Sequence, residues 1–410
     1  MKHYVIIGNG TAAVGCIEGI RSVSADGGIT VISAENHPVY SRPLISYYLE
    51  GKTDLEKMRY RGEGFYEING CRVIYGRKAV SVNTSGRTVI LDDGSSVPYD
   101  SLCVAAGSRP FVPPFPGLET VGKKFGFMTM DDALEHEKAL SEDARVLIVG
   151  AGLIGLKCAE GICGRVGSIT VCDLADRVLS SILDADCAAI VQDHLEKNGI
   201  SFLLGDSVDK FCESKAYMKS GKQIDFDVLV LAVGVRANTE LVKEAGGKVN
   251  RGIIINCRAE TDLEDIYAAG DCTEGYDAST GTNRVLAILP NAYMQGYTAG
   301  VNMAGGCSVH DRAIPMNSIG FFGLHMMTAG SYEGEMTEEK IPAGIKRLFI
   351  KDGILKGFIL VGACERAGIY TSLIRDRTPL DTIDLELTKK VATNLIFSQE
   401  SRRKKFGGIV

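Results

Sequence analysis

Two stretches of this 410-residue chain carry the residue types and spacing that hold a dinucleotide. Residues 5–20 read VIIGNGTAAVGCIEGI and residues 147–162 read LIVGAGLIGLKCAEGI, so Gly8, Gly10 and Ala13 recur as Gly150, Gly152 and Gly155. Cys16, Glu18, Gly19 and Ile20 likewise recur as Cys158, Glu160, Gly161 and Ile162. In G-x-G-x-x-(A/G) the first glycine makes a tight turn and the second lets the backbone approach a pyrophosphate. The third small residue lets the following helix lie close on the sheet. The helix N-terminus then offers free amides and partial positive charge to the phosphates. A lone run of this kind is a weak signal, but here each is followed by a second β-rich run that closes on an acid. GGITVISAE ends on Glu35 and GSITVCD on Asp173, where a carboxylate accepts hydrogen bonds from a ribose. Two sites imply one nucleotide that stays and one that exchanges. Asp173 favours NADH over NADPH, because a carboxylate beside a 2′-phosphate is repelled by roughly 1–4 kcal/mol. The nearest following arginine, Arg177, stands four residues on.

The elements that position these residues are those of an α/β chain. Each fingerprint is a short β-branched strand, a glycine turn and a helix with small residues on one face. Residues 71–106 carry short alternating strands with a turn at Asp93-Gly94 and end in YDSLCVAAGSRP. After the linker FVPPFPG, the second fingerprint opens a unit that closes with DVLVLAVGVRAN, an echo of the earlier segment. TDLEDIYAAGDC, residues 261–272, reads as a strand, a glycine and the acid Asp271. The last hundred residues read as a strand pair followed by helices.

Composition narrows the function. Glycine is the outlier, 48 of 410 residues or about 12% against a usual ~7%, as many tight strand-to-helix turns require. A formal net charge of −6 gives nucleic acid no electrostatic support as a partner. No apolar run approaches the ~18–20 residues that span a bilayer. The N-terminus enters a strand at once, so a cytoplasmic protein without a signal peptide is expected. The 12 cysteines contain no C-x-x-C pair, the closest being Cys158 and Cys163, which argues against zinc, iron–sulfur or dithiol sites. No metal is expected.

With these residues in place, the sequence resembles the FAD-dependent pyridine nucleotide oxidoreductases over nearly its whole length. Within them it is most similar to rubredoxin reductase, ferredoxin reductases and the N-terminal part of the NADH nitrite reductase large subunit. The resemblance implies two Rossmann-like domains, with FAD on residues 1–113 and 241–315 and NADH on 114–240. It also implies a small α+β interface domain over 316–410, used for a homodimer or a larger complex. Gly8, Gly10, Ala13 and Glu35 would hold the ADP half of FAD. Asp271, after Gly270, would meet the ribityl chain. PVYSRPLIS would lie against the flavin through Arg42, Pro43 and Ser46. Val80, Ala106, Gly107, Arg109 and Asn291 complete the implied FAD site. Gly150, Gly152, Gly155, Asp173 and Gly234 would take NADH.

The departures from the family pattern also inform. The slot of the redox cysteine in disulfide- and peroxide-reducing relatives is Pro43, and no cysteine lies between 17 and 70. A cysteine-based disulfide reductase is therefore disfavoured. A glutamate near the nicotinamide in many relatives is Lys157 here, which either tunes hydride transfer, pairs with NADH or is a solvated helix residue. Met128 and Tyr47 stand where ferredoxin reductases often have arginine and lysine. A one-electron iron–sulfur carrier, rubredoxin or ferredoxin, is the expected partner. An NADH oxidase, a persulfide- or disulfide-type reductase and a flavin-binding assembly subunit are the alternatives. Lys57, Arg59, Arg61 and the tail SRRKKFGG (401–408) are candidate docking cations, against a solvated face and a frayed end.

Overall fold

Both fingerprints open a five-stranded parallel sheet. In the computed structural model, which describes residues 1–341, 344–391 and 393–405, the first sheet runs Ile266–Ala268, Ser101–Val104, His3–Ile7, Gly28–Ile32 and Cys71–Ile74. Every pair in it is parallel. The second runs Ile200–Leu204, Ser168–Asp173, Arg145–Val149, Val228–Leu231 and Lys124–Phe125, again all parallel. The central strands are apolar and buried at almost every residue, as strands covered on both faces must be. The two sheets share their inner strand order and differ at one edge, where the second recruits a strand preceding its fingerprint. The echoing segments Ser108–Pro110 and Val235–Ala237 pair with each other as an antiparallel ribbon between the units.

Glycine is spent on helix contact as well as on turns. The helix Thr11–Arg21 lies against Leu289–Met303 with almost no side chain between them. A Cβ on Gly15 would stand 2.3 Å from the Tyr293 carbonyl oxygen, and one on Gly300 2.1 Å from that of Cys16. Neither could be accommodated without separating the backbones.

Residues 39–58, inserted between two strands of the first sheet, pack elsewhere. Tyr40, Ile45, Leu49 and Met58 are buried in the core of the second unit. Phe321, Met326, Ile345, Phe349, Ile359 and Val361 of the C-terminal sheet join that same core. The C-terminal region is a five-stranded antiparallel sheet ordered Met316–Phe321, Leu324–Gly330, Ile354–Val361, Gly344–Lys351, Glu335–Ile341, where the sequence suggests only a strand pair. The edge strand EMTEEKI is charged and largely exposed, so it carries no apolar run to announce it. Beyond residue 380 the chain folds back, burying Ile396 and Phe397 beside Tyr370, whose hydroxyl donates to the Thr388 carbonyl at 2.9 Å. Residues 406–408 of the expected basic tail lie outside the described residues. Among the described residues no helix is long and apolar enough to cross a membrane.

One buried group makes stability depend on pH. His136, on the helix Met130–Ala139, is 0% exposed, packs beside Phe125 and Phe127, and neither ring nitrogen has a hydrogen-bond partner. Burial pushes its pKa down to about 4, with Asp132 opposing and Arg165 assisting. Between about pH 6.5 and 4 the unfolded chain takes a proton that the folded chain refuses. Stability is therefore full above 6.5 and falls by up to about 3 kcal/mol as pH drops through that window. His136→Leu should flatten the fall, read as urea midpoints from pH 7.5 to 4.5. Parallel curves for the two proteins would show that His136 is not its source.

Candidate functional site

The C-terminal ends of the first sheet's strands frame an open groove. Gly8–Ala12 enters it after the first strand, Ser33–Glu35 after the second, Ala105–Ser108 after Ser101–Val104, and Ala269–Asp271 after Ile266–Ala268. This is where strand order reverses, the usual ligand crevice of such sheets. A second groove shares Gly8, Ala34 and Ala106 with it and continues past Arg77–Val80 and Arg109.

Gly8 has φ +109°, and a Cβ there would lie 2.1 Å from the Ala105 carbonyl oxygen, so the turn admits no side chain. Gly10 caps the helix Thr11–Arg21 with no side-chain acceptor. Nothing lies within 4 Å of where its Cβ would be, which leaves the first-turn amides open to the groove. The second fingerprint repeats the arrangement: Gly150 has φ +118° with the Ala232 carbonyl oxygen 2.3 Å from its would-be Cβ, and Gly152, capping Leu153–Ile162, faces open space. Gly155 is pressed against the Gly150 carbonyl oxygen, 2.0 Å from the position of a Cβ. Gly234, at φ +112°, turns the chain beside it, its carbonyl taken by the Phe111 amide.

The two acids are held differently. Glu35 pairs with Arg42 and accepts the Tyr40 hydroxyl at 2.6 Å, while Arg42 also donates to the Met128 carbonyl at 2.6 Å. Asp173 accepts the amides of Ala151 at 2.7 Å and Ala175 at 2.8 Å. Arg177 is turned to Asp176 and the Leu183 carbonyl, so it does not supply the cation a 2′-phosphate would want. Burial pushes the Asp271 carboxyl up, with Ser108 and Arg42 opposing.

Of the sequence-derived candidates, Gly8, Gly10, Glu35, Arg42, Ala106, Gly107, Gly270 and Asp271 line the main groove, and Val80 and Arg109 its continuation. Arg109 is ion-paired there with Glu240. Four of the candidates for the FAD site lie off both grooves. Ala13 is wholly buried, Pro43 is exposed on the surface, and Ser46 is wedged against Gly161 of the second fingerprint helix. Asn291 is buried with its amide donating to the Leu286 carbonyl. Lys157 is not a solvated helix residue. Only 17% of its side chain is exposed, it pairs with Glu160, and its ammonium lies 4.9 Å from the Tyr47 ring and 5.6 Å from that of Phe321.

The groove lining contains no cysteine. Burial raises the Cys158 thiol and pushes Cys172 and Cys272 to about 12, so none of these three is a thiolate at neutral pH. Lys57, Arg59 and Arg61 are paired with Asp54, Glu63 and Glu18, which leaves little free positive charge on that face. Among the described residues no cluster of three or more His, Cys, Asp or Glu could hold a metal ion.

A family model described as pyridine nucleotide-disulphide oxidoreductase matches residues 2–296. The chain belongs to this family. It is an FAD-dependent NAD(P)H oxidoreductase, with FAD and NADH as its cofactors. Subunit epsilon of the NADH-dependent phenylglyoxylate dehydrogenase of Aromatoleum evansii is 32% identical over 92% of each chain. The NADH oxidase of Methanocaldococcus jannaschii is 31% identical over 97% of this chain and 93% of that protein. The rubredoxin-NAD(+) reductase of Pseudomonas putida is 28% identical over 73% and 80%.

The residues present fit FAD in the first groove. The bare Gly10 cap leaves room for a pyrophosphate. An ionised carboxylate offers about four acceptor sites, so Glu35, with two donors on it, keeps room for ribose hydroxyls.

Proposed function

We propose that this chain takes electrons from NADH and passes them singly to a small iron–sulfur carrier protein of the rubredoxin or ferredoxin type, or runs the same transfer backwards. FAD is assigned to residues 1–113 and 241–315, NADH to 114–240, and a docking or subunit interface to 316–410. In this reading Gly8 and Gly10 give the FAD pyrophosphate a backbone bed, Glu35 orients the ribose, and Asp271 and Arg42 flank the rest of the groove. Gly150, Gly152 and Asp173 hold NADH by the same logic, the carboxylate accepting from the adenosine ribose. When bound, FAD supplies a two-electron acceptor that can release its electrons one at a time.

The observation that carries the carrier assignment is the cysteine-free groove. With no thiol beside the cofactor to receive an electron pair, a one-electron acceptor is the natural outlet. The Pseudomonas putida relative bears the name of such an activity.

Anaerobic titration tests the reading in two steps. NADH, and much less readily NADPH, should bleach the yellow flavin band. Rubredoxin or ferredoxin should then restore it faster than air or a disulfide does. Reoxidation by oxygen alone would turn the assignment to an NADH oxidase. A protein that binds FAD but is bleached only over minutes would turn it to an assembly subunit.

A further inference from the structure

The ribose acid of the first unit is hydrogen-bonded into the second. The Tyr40 hydroxyl accepts the Met130 amide at 2.9 Å and donates its own hydrogen to Glu35 Oε2 at 2.6 Å. Met130 opens the helix Met130–Ala139, and its amide is one of the first-turn donors that lack an intrahelical partner. The chain of dipoles therefore runs from a helix N-terminus through one phenol to the carboxylate, each bond polarising the next. Tyr40 is 9% exposed and packed in the second unit's core. Burial, reinforced by Glu35, raises its pKa against the pull of Arg42 and keeps it a donor. Two further contacts reach the same stretch: Arg42 to the Met128 carbonyl and His37 to Asp131 at 2.7 Å. Met128 itself lines the groove. Residues 35–42 thus seat residues 128–131, and Glu35 lies where the two meet.

We propose that Tyr40 is a positioning residue that couples the two nucleotide sites, so that a pyridine nucleotide on the second unit tightens the hold on FAD in the first. The inference rests on the assignment of FAD to the first groove and NADH to the second. A ribose on Glu35 and a nucleotide on the second unit both favour the arrangement in which 128–131 is seated on 35–42. Two ligands that bias one arrangement strengthen each other by the same factor.

The test is the FAD dissociation constant of the full-length holoprotein, from flavin fluorescence on serial dilution, with and without saturating NAD+. NAD+ binds without reducing the flavin, so no turnover enters. The wild type should bind FAD about 5- to 10-fold more tightly with NAD+, within the usual range of coupling between sites. In Tyr40→Phe that ratio should fall below about 2. Tyr48→Phe is the control: it removes a 2.7 Å bond from the Tyr48 hydroxyl to Glu137 on the same helix without touching Glu35, and should keep the wild-type ratio. An unchanged ratio in Tyr40→Phe, an equal loss in Tyr48→Phe, or no NAD+ effect in the wild type would overturn the proposal. If Glu35→Ala leaves FAD binding untouched, the placement of FAD fails, and the coupling with it. If Glu35→Ala weakens FAD while Tyr40→Phe keeps the ratio, only the coupling fails.

Discussion

Arg347→Ala should cost about 2–3 kcal/mol, less than breaking a fully buried ion pair because the carboxylates around the buried guanidinium keep some contact with water, and should loosen the C-terminal sheet from the second unit. Arg347 is 5% exposed on the strand Gly344–Lys351. Its guanidinium reaches Asp184 at 2.5 Å, Asp186 at 2.6 Å and Glu338 at 2.6 Å. Asp184 is also the N-cap of the helix Ala185–Lys197, accepting the Cys187 amide at 3.0 Å. One cation thus joins two strands of the C-terminal sheet to the start of a helix in the second unit. Burial works against charge on Asp184, but the Cys187 amide and then Arg347 outweigh it and hold its carboxyl below the usual range. Arg347 stays charged against its own burial because the three carboxylates bond it. Alanine would leave those carboxylates facing one another without a cation. The acid dependence should change too. A depressed carboxyl stabilises the fold at neutral pH and loses that stability as pH falls through its folded pKa, so the variant should lose less on acidification than the wild type. Thermal midpoints at pH 7 and at pH 3, below the ordinary carboxyl value of 3.8 where the depressed Asp184 begins to take its proton, with hydrogen exchange of residues 335–361, read both effects. A midpoint at pH 7 within a degree of wild type would show the cluster to be a surface ornament.

That cluster had no sequence signal, and the reason is general to what the sequence did and did not disclose. The fingerprints were legible because the turn that follows each strand admits only glycine at its first position. Gly8 and Gly150 stand at positive φ with carbonyl oxygens where a Cβ would go, so the constraint is local and leaves a local mark. The positions of the two acids were legible from the β-rich runs before them, Asp173 closing the strand Ser168–Asp173 and Glu35 standing three residues beyond Gly28–Ile32. Partners chosen across the fold leave no such mark. Tyr40 stands inside the PVYSRPLIS segment, yet its role depends on Met130, 90 residues away. Ser46 and Pro43 sit in the same segment, and a motif gives no sign that the backbone of one packs on Gly161 while the other is exposed. Lys157 follows the fingerprint at helical spacing, but only the approach of Tyr47 and Phe321 from two other regions takes it out of solvent. The C-terminal sheet shows the same limit, its edge strand being held by backbone pairing to Gly344–Lys351 and not by apolar side chains.

Gly152→Val should leave the protein yellow and folded while slowing its bleaching by NADH by about 10²–10⁴-fold. The size follows from losing two or so backbone hydrogen bonds to a charged pyrophosphate, at roughly 1.5–3 kcal/mol each. The fold should survive because Gly152 is extended, at φ −84° and ψ −175°, with nothing within 4 Å of its would-be Cβ. A β-branched residue adopts that backbone without strain, and the poorer cap costs only about 1 kcal/mol. Stopped-flow reduction by NADH reads the loss, and reduction by dithionite, which needs no nucleotide site, should keep its wild-type rate. Bleaching by NADH at the wild-type rate would remove NADH from the second fingerprint. The first fingerprint offers the reciprocal experiment, since Gly10 also caps its helix with open space where a Cβ would stand. Gly10→Val should cost the colour itself, with the second unit still binding NAD+. The two substitutions are the same change in the same local geometry, so fold damage would strike them alike. Opposite phenotypes can come only from which nucleotide each turn holds, and an exchange of the two phenotypes would reverse the assignment of the sites.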